Sequence, residues 1–256
     1  MTDRAAAILL GRKGSEGFPG KNTHPVLGRP LAWYALRAAS EALGPEACFL
    51  STDDEALKRI AWDLGMGVIE RPEELATREA LGEDAFAHAW SVVRAILRVD
   101  ILALMFCNAP TVTPGIIRQG IRILNRNRDI DSAVTVSRYN MWSPPRARRI
   151  GEDGLLHPFV PLRVFGDALT CDRDSQGDVW FADMGVSVVR PRCLEKMAEG
   201  IPPQRWMGRR IYPLAQEGGL DVDFAWQIPY VERWLKERGF DEDAAHHPAH
   251  PRLDPQ

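Results

Sequence analysis

A surplus of charge of either sign is what this sequence most clearly lacks. Its 32 Lys and Arg are nearly balanced by 35 Asp and Glu, giving a net charge of -3 over 256 residues. Such a chain carries no global electrostatic footprint for nucleic acid. Long apolar runs are also missing. No stretch reaches the length of a membrane span, and Ala-Ala-Ala-Ile-Leu-Leu at 5–10 is too short for a signal-peptide core. The expectation is a cytoplasmic protein with neither nucleic acid nor membrane among its partners. Cysteine is scarce: Cys48, Cys107, Cys171 and Cys193 are far apart and form no C-x-x-C. That is not the density of a small disulfide scaffold, and the spacing suits no zinc site. Free buried thiols in a reducing compartment are expected. The hydrophobic fraction of 45% and charged fraction of 26% are those of an ordinary globular protein. The length suits one large domain, or one domain with an insertion, around a sizeable core.

What is present is concentrated at residues 5–22. The apolar run at 5–10 has the length of a strand buried on both faces. It leads into Gly11-Arg12-Lys13-Gly14-Ser15-Glu16-Gly17-Phe18-Pro19-Gly20-Lys21-Asn22. Glycines recur at 11, 14, 17 and 20, and Pro19 bars a helix. Backbone N–H groups along such a loop can face phosphate oxygens, and Arg12, Lys13 and Lys21 add positive charge. The loop is not a Walker A motif, because Ser15 stands five before Gly20 and Asn22 follows Lys21. It is not G-x-G-x-x-G either. From spacing alone a solvated glycine-rich loop remains an equal reading.

The chain then alternates. A helix is expected from Pro30 to about Leu43, ended by Gly44-Pro45, then a strand at Ala47–Leu50. Ser51-Thr52-Asp53-Asp54 precedes a helix from Glu55 to about Leu64, and Val68-Ile69 is a third strand. Such alternation reads as a parallel sheet flanked by helices, with ligands beyond the carboxyl ends of its strands. Glu83–Leu97 reads as an amphipathic helix whose Phe86, Trp90, Val93 and Leu97 face the core. Asp100–Phe106 reads as a buried strand ending at Cys107-Asn108-Ala109-Pro110-Thr111. Pro114–Arg126 is helical, and a strand follows at 131–137. Residues 138–182 differ in texture, dense in Pro, Gly and Arg, with a hairpin-turn signal at Gly151-Glu-Asp-Gly154. A strand follows to Arg190. Its Gly185-Val-Ser187 is no hydrolase elbow, since Val189 stands where Gly is required. In Asp221-Val222-Asp223, extended backbone would place both carboxylates on one face, where hard oxygens suit Mg2+ together with phosphates. Taken alone, D-x-D also serves as a turn or a cap. Residues 224–238 read as the last helix. The tail, 241–256, with His246, His247 and His250, reads as disordered.

Ile8 to Asn22 resembles the first motif of the CMP-acylneuraminate synthetase family, approximately A-R-x-G-S-K-G-x-P-x-K-N, with which KDO-activating enzymes share a similar loop. Arg12, Gly14, Ser15, Gly17, Pro19, Lys21 and Asn22 match. Gly11 replaces Ala, and Glu16 replaces a Lys. Further along, Ser51-Thr52-Asp53 resembles S-T-D, and Arg71-Pro72-Glu-Glu-Leu75-Ala76 resembles R-P-x-x-L-A. Asp131–Ser137 is similar to D-S-A-V-T-V, and Asp221-Val222-Asp223 to D-I-D. Around Pro110 the family carries L-Q-P-T-S-P and KDO-type relatives G-D-E-P, which sets Asn108 where the latter have an acidic metal ligand. Ala182-Asp183-Met184-Gly185 matches R-x-N-G-A-I-Y only in part.

The resemblance implies an α/β three-layer nucleotidyltransferase fold, Rossmann-like with a mixed sheet. It implies one domain over 1–240, with 138–182 as a small β-rich insert for the acceptor and a homodimer arm. The implied reaction moves CMP from CTP to an acidic sugar and releases pyrophosphate. Arg12, Lys21, Asp221 and Asp223 would be catalytic, the two aspartates holding Mg2+. Gly11, Arg12, Gly14, Ser15, Lys21, Asn22, Arg71, Asn108 and Pro110 would hold the nucleotide. Arg146, Arg163 and Asp183 would meet a small acidic acceptor. Two alternatives stay open: the same chemistry on a phosphonate or other small acid, and a catalytically weak nucleotide-binding protein, towards which Glu16 and Asn108 point.

Overall fold

The computed structural model describes residues 4–166 and 169–241. The opening apolar run forms β1 (Ala5–Leu10). After the glycine-rich loop come a 3-10 turn at Lys21–Thr23 and a short hairpin, β2 (Pro25–Val26) and β3 (Arg29–Pro30), which deliver the chain into α1 (Leu31–Leu43). Then follow β4 (Cys48–Thr52), α2 (Glu55–Asp63), β5 (Gly67–Glu70), α3 (Gly82–Ile96), β6 (Ile101–Phe106) and α4 (Pro114–Arg126). The second half holds β7 (Ser132–Arg138), β8 (Arg148–Ile150), β9 (Leu156–Pro158), β10 (Trp180–Val189), α5 (Arg192–Glu195), β11 (Ile211–Gln216) and α6 (Ile228–Lys236).

Local chemistry sets the helix boundaries. Thr113 caps α4 by accepting from the Ile116 N–H at 3.3 Å, and Pro114 needs no donor there. Asp54 caps α2, accepting from the Ala56 N–H at 2.8 Å. Asp53, one residue earlier, accepts from the Lys13 N–H at 2.9 Å and ties the glycine-rich loop to the end of β4. The helix expected over 224–238 begins as a 3-10 turn at Ala225–Gln227 and becomes α-helical only from Ile228, beside Pro229.

Seven strands form the central sheet in the order β11-β7-β10-β6-β1-β4-β5. β5, β4, β1 and β6 are mutually parallel, and β11 is parallel to β7. β10 runs antiparallel to both neighbours, so the sheet is mixed and not the parallel one that the strand–helix alternation suggests. Alternate residues of β1 enter different cores, as period-2 geometry requires. Ala7 and Leu9 pack with Ala35 of α1, Leu57 of α2 and Ile117 of α4. Ala6, Ile8 and Leu10 pack with Phe86, Trp90 and Val93 of α3. Three layers result, with the sheet between two helical faces. A third cluster joins Leu31 and Tyr34 of α1 to Val231, Trp234 and Leu235 of α6, with Val222 buried between them.

Residues 139–179 leave this body. The stretch is shorter than the sequence suggests, because Arg138 and Trp180 still pair in the sheet. Its described residues form one small antiparallel hairpin, β8–β9, and otherwise 3-10 turns and loops. Its apolar side chains are exposed: Trp142 at 58%, Leu156 at 70% and Phe159 at 66%. Cys48, Cys107 and Cys193 are free and buried, whereas Cys171 is free but exposed. Among the described residues no helix is long and apolar enough to cross a membrane. The tail histidines His246, His247 and His250 lie outside the described residues.

Candidate active site

Strand order reverses at β1: the chain passes to β4 on one side and later returns to β6 on the other. The loops leaving β1 and β6 therefore diverge and open a crevice at their carboxyl ends. A cavity of about 200 Å³ lies there. Its polar wall is Arg12, Ser15, Lys21 and Asn22 from the glycine-rich loop, with Arg71 after β5 and Asn108 after β6. Its apolar wall includes Leu75, Leu81, Ala85 and Phe106.

Two features shape the loop. Gly14 and Gly20 have φ of +80° and +71°, a region costly for side-chain-bearing residues. A Cβ at Gly11 would lie 2.8 Å from Cys107 Sγ and would crowd Leu57. Gly at this position leaves room for these two side chains. Glu16 is answered by Arg78 at 3.2 Å, both side chains being exposed.

Arg71 is the most constrained cation of the site. It is buried, and its guanidinium donates to the Ser51 carbonyl at 2.7 Å and to Ser51 Oγ at 3.3 Å. Burial pulls its pKa down; Cys107 and Asp53 oppose this weakly, and Arg12 adds to it. Arg12 donates only a long bond, 3.5 Å, to the Ala76 carbonyl. Among the described residues neither arginine has a carboxylate partner within ion-pair distance. Asn22 Oδ1 is buried without a hydrogen-bond partner. Two cations without counter-ions and an orphaned acceptor on one cavity wall are the features of a site for a polyanion with donor groups of its own. Cys107 is no nucleophile: full burial pushes its thiol pKa up to about 12.

The carboxylates sit beside this cavity through a clamp at the end of β6. The Val222 N–H donates to the Asn108 carbonyl at 2.7 Å, and Asn108 Nδ2 donates to the Val222 carbonyl at 3.0 Å. Thr111 Oγ1 accepts from the Leu220 N–H at 2.7 Å and donates to its carbonyl at 2.9 Å. With Val222 fully buried, Asp221 and Asp223 flank it on the outside. Asp223 pairs with Lys21 at 2.6 Å. Burial, and then repulsion from Asp223, raise the pKa of Asp221. No other described residue donates a hydrogen bond to the Asp221 side chain. A half-buried carboxylate that only its own backbone N–H reaches, beside a second one, suits a hard divalent cation completed by phosphate oxygens. Among the described residues no group of three or more His, Cys, Asp or Glu gathers as a metal site.

Gly11, Arg12, Ser15, Lys21, Asn22, Arg71 and Asn108 therefore meet on one cavity, with Asp221 and Asp223 adjoining through Lys21 and Asn108. Gly14 and the buried Pro110 shape the loops without lining the cavity. Arg146 and Arg163 are exposed on the insert and away from the cavity wall. Asp183 is turned inward. A bulge in β10, with Met184 at φ +62°, buries its carboxylate. There it accepts from Ser137 Oγ at 2.6 Å, Gln216 Nε2 at 3.0 Å and the Gly185 N–H at 3.2 Å. Ser137 Oγ in turn accepts from the Gly219 N–H at 2.9 Å, so Asp183 braces the strand ends that carry the Gly218–Asp223 segment. Sequence reasoning did not find the Asn108–Val222 clamp, the Thr111 pairing, or the apolar wall beyond Leu75. The only signals were Pro110-Thr111 at a strand end and an undistinguished run at 80–85.

Known proteins resemble this chain throughout. Residues 6–132 match the family model described as Cytidylyltransferase. The N-acylneuraminate cytidylyltransferase of Oncorhynchus mykiss is 26% identical over 235 residues, 92% of this chain and 51% of that protein. That of Escherichia coli O18:K1:H7 is 35% identical over 92 residues, 36% of this chain and 22% of that protein. The chain thus spans about half, or less, of the length of these curated relatives. Among solved structures, CMP:2-keto-3-deoxy-manno-octonic acid synthetase complexed with CTP aligns with a TM-score of 0.64 at 16% identity, covering 91% of this chain and 99% of that one. A 4-diphosphocytidyl-2C-methyl-D-erythritol synthase from Anaerococcus prevotii aligns at 0.57 and 13%, covering 92% and 97%. The structural likenesses establish the fold, and the sequence matches run through the strands and loops that build the cavity. Over residues 6–132, just under half of its length, this chain carries the sequence pattern of the cytidylyltransferase family.

Proposed function

We propose that this protein transfers CMP from CTP to the hydroxyl of an acidic sugar, of the acylneuraminate or KDO type, releasing pyrophosphate. The observation that carries this reading is the buried Arg71 beside Arg12, two cations without a carboxylate partner on one cavity at the switch point of the sheet. The triphosphate lies along the glycine-rich loop. Arg12 and Lys21 hold it and stabilise the charge that builds on the departing pyrophosphate. Asn22 Oδ1 accepts a hydrogen bond from the nucleoside, and the apolar wall shields the base from water. Asp221 and Asp223 hold Mg2+, which would neutralise phosphate charge and lower the pKa of the attacking hydroxyl. The Asn108 clamp keeps both carboxylates in register with the cavity.

The exposed aromatic and aliphatic side chains of residues 139–179 support a homodimer in which this segment covers a second copy and closes the acceptor side. Arg146 and Arg163 would meet the acceptor carboxylate there. The test is pyrophosphate release with Mg2+, offering CTP, GTP, UTP and ATP against N-acetylneuraminic acid, KDO and small phosphonates. Release with CTP and a sugar acid is expected. Release only with a phosphonate would change the acceptor, and release only with another nucleotide would overturn the cytidylyl reading.

A further inference from the structure

Lys21 stands at the seam between the cavity and the carboxylate pair. Its Nζ is 2.6 Å from Asp223 Oδ1, with only 14% of the lysine side chain exposed against 56% for the aspartate. The same lysine lines the cavity beside Arg12, Ser15 and Asn22. The backbone of Asp223 is fixed from two sides. Gln227 Oε1 accepts from the N–H groups of Asp223 and Phe224, both at 2.8 Å, and Val222 is clamped to Asn108. The aspartate therefore cannot retreat with its backbone, and uncovering it falls to the lysine. A compact ammonium on a flexible stem is the part suited to move. Asp223 and the cavity both lie beside this one ammonium.

We propose that Lys21 is an electrostatic latch that exchanges between two anions. With no nucleotide bound it covers Asp223. When a triphosphate enters, it turns to the phosphates and leaves Asp223 to join Asp221 around the divalent cation. The inference rests on the nucleotide reading of the cavity and adds an order to it: the protein's own carboxylates become a full cation site only after the nucleotide has arrived. A lysine that merely filled space or held the loop would have no such effect on the metal.

The test is Mn2+ binding to the nucleotide-free protein, followed by the electron paramagnetic resonance signal of free aqueous Mn2+. Lys21→Gln should bind Mn2+ about two- to fivefold more tightly than the wild type, the range expected for releasing a partly exposed ion pair. Adding Asp223→Asn to Lys21→Gln should remove the gain. Equal or weaker binding by Lys21→Gln, or a gain that survives Asp223→Asn, overturns the latch. Should Lys21→Gln fail to fold, the wild-type Lys21 side-chain nitrogen resonance gives a second readout, with CTP added in EDTA and binding followed by calorimetry. A moved resonance supports the exchange. Bound CTP with an unmoved resonance overturns the latch alone, whereas no binding of CTP overturns the nucleotide reading itself.

Discussion

The carboxyl ends of β1, β5 and β6 and the loop segment at 139–179 are built on opposite principles. At the strand ends the groups that shape the site are held by partners within the chain: Arg71 by Ser51, Asn108 and Val222 by each other, Asp223 by Lys21. On the protruding segment the arginines are exposed, the hairpin is three residue pairs long, and Trp142, Leu156 and Phe159 face solvent. The first arrangement is complete within one chain and holds cations against a ligand that brings its own charge. The second has apolar surface without a partner, which is the condition of a surface awaiting another molecule. Position in the fold explains the difference. Groups at the ends of central strands inherit the rigidity of the sheet, while a loop leaving the sheet edge does not.

The largest effect should come from the rigid side. Asp221→Ala or Asp223→Ala should lower pyrophosphate release by about a thousandfold while the circular dichroism spectrum stays native. Retained turnover would mean that the carboxylates do not serve the reaction. Asn108→Ala keeps every charge but removes one half of the clamp, so turnover should fall about tenfold with a smaller change in the KM for CTP. A loss confined to KM would make Asn108 a nucleotide contact and not a brace. On the protruding side, Arg146→Ala and Arg163→Ala should leave CTP affinity within about twofold and raise the acceptor KM about three- to tenfold. A large loss of CTP affinity would erase the distinction between the two regions.

The smallest expected effect concerns stability and pH. Burial first, and then the charge of Asp223, raise the folded-state pKa of Asp221. Its contribution to stability is therefore full below the unfolded carboxyl value and is lost as pH rises through the folded one. At neutral pH the ionised Asp221 is a cost. Asp221→Asn should raise Tm at pH 7 by about 2–4 °C, and the gain should vanish below about pH 4, where the wild-type carboxyl is protonated. A scan showing the gain only in acid would contradict the electrostatic account.

Legibility followed the same division. Ile101–Phe106, Pro114–Arg126 and the opening run are readable because strand and helix there follow from short-range signals: unbroken apolar runs, a Thr-Pro start, glycine stops. The glycine-rich loop, Arg71 and the Asp-Val-Asp segment are readable as motifs, and the resemblance placed them on one site. The pairings between them were not legible. Asn108 meets Val222 across 114 positions and Lys21 meets Asp223 across 202, and no local pattern records such contacts. Ile211–Gln216 went unread as a strand because it is an edge strand containing Pro213, whose pattern is neither continuous nor alternating. Asp183, expected at the acceptor, is turned inward by a bulge at Met184, whose positive φ no local pattern announces.

The most direct test of the central claim, that one rigid cavity at the strand ends takes the nucleotide, is calorimetry of CTP binding to the wild type, Arg71→Met and Arg163→Ala. Arg71→Met should weaken CTP about thirtyfold, the loss of about 2 kcal/mol expected for a desolvated charged contact, with Arg163→Ala indistinguishable from the wild type. Equal CTP affinity in wild type and a folded Arg71→Met would show that the nucleotide binds elsewhere and contradict the account.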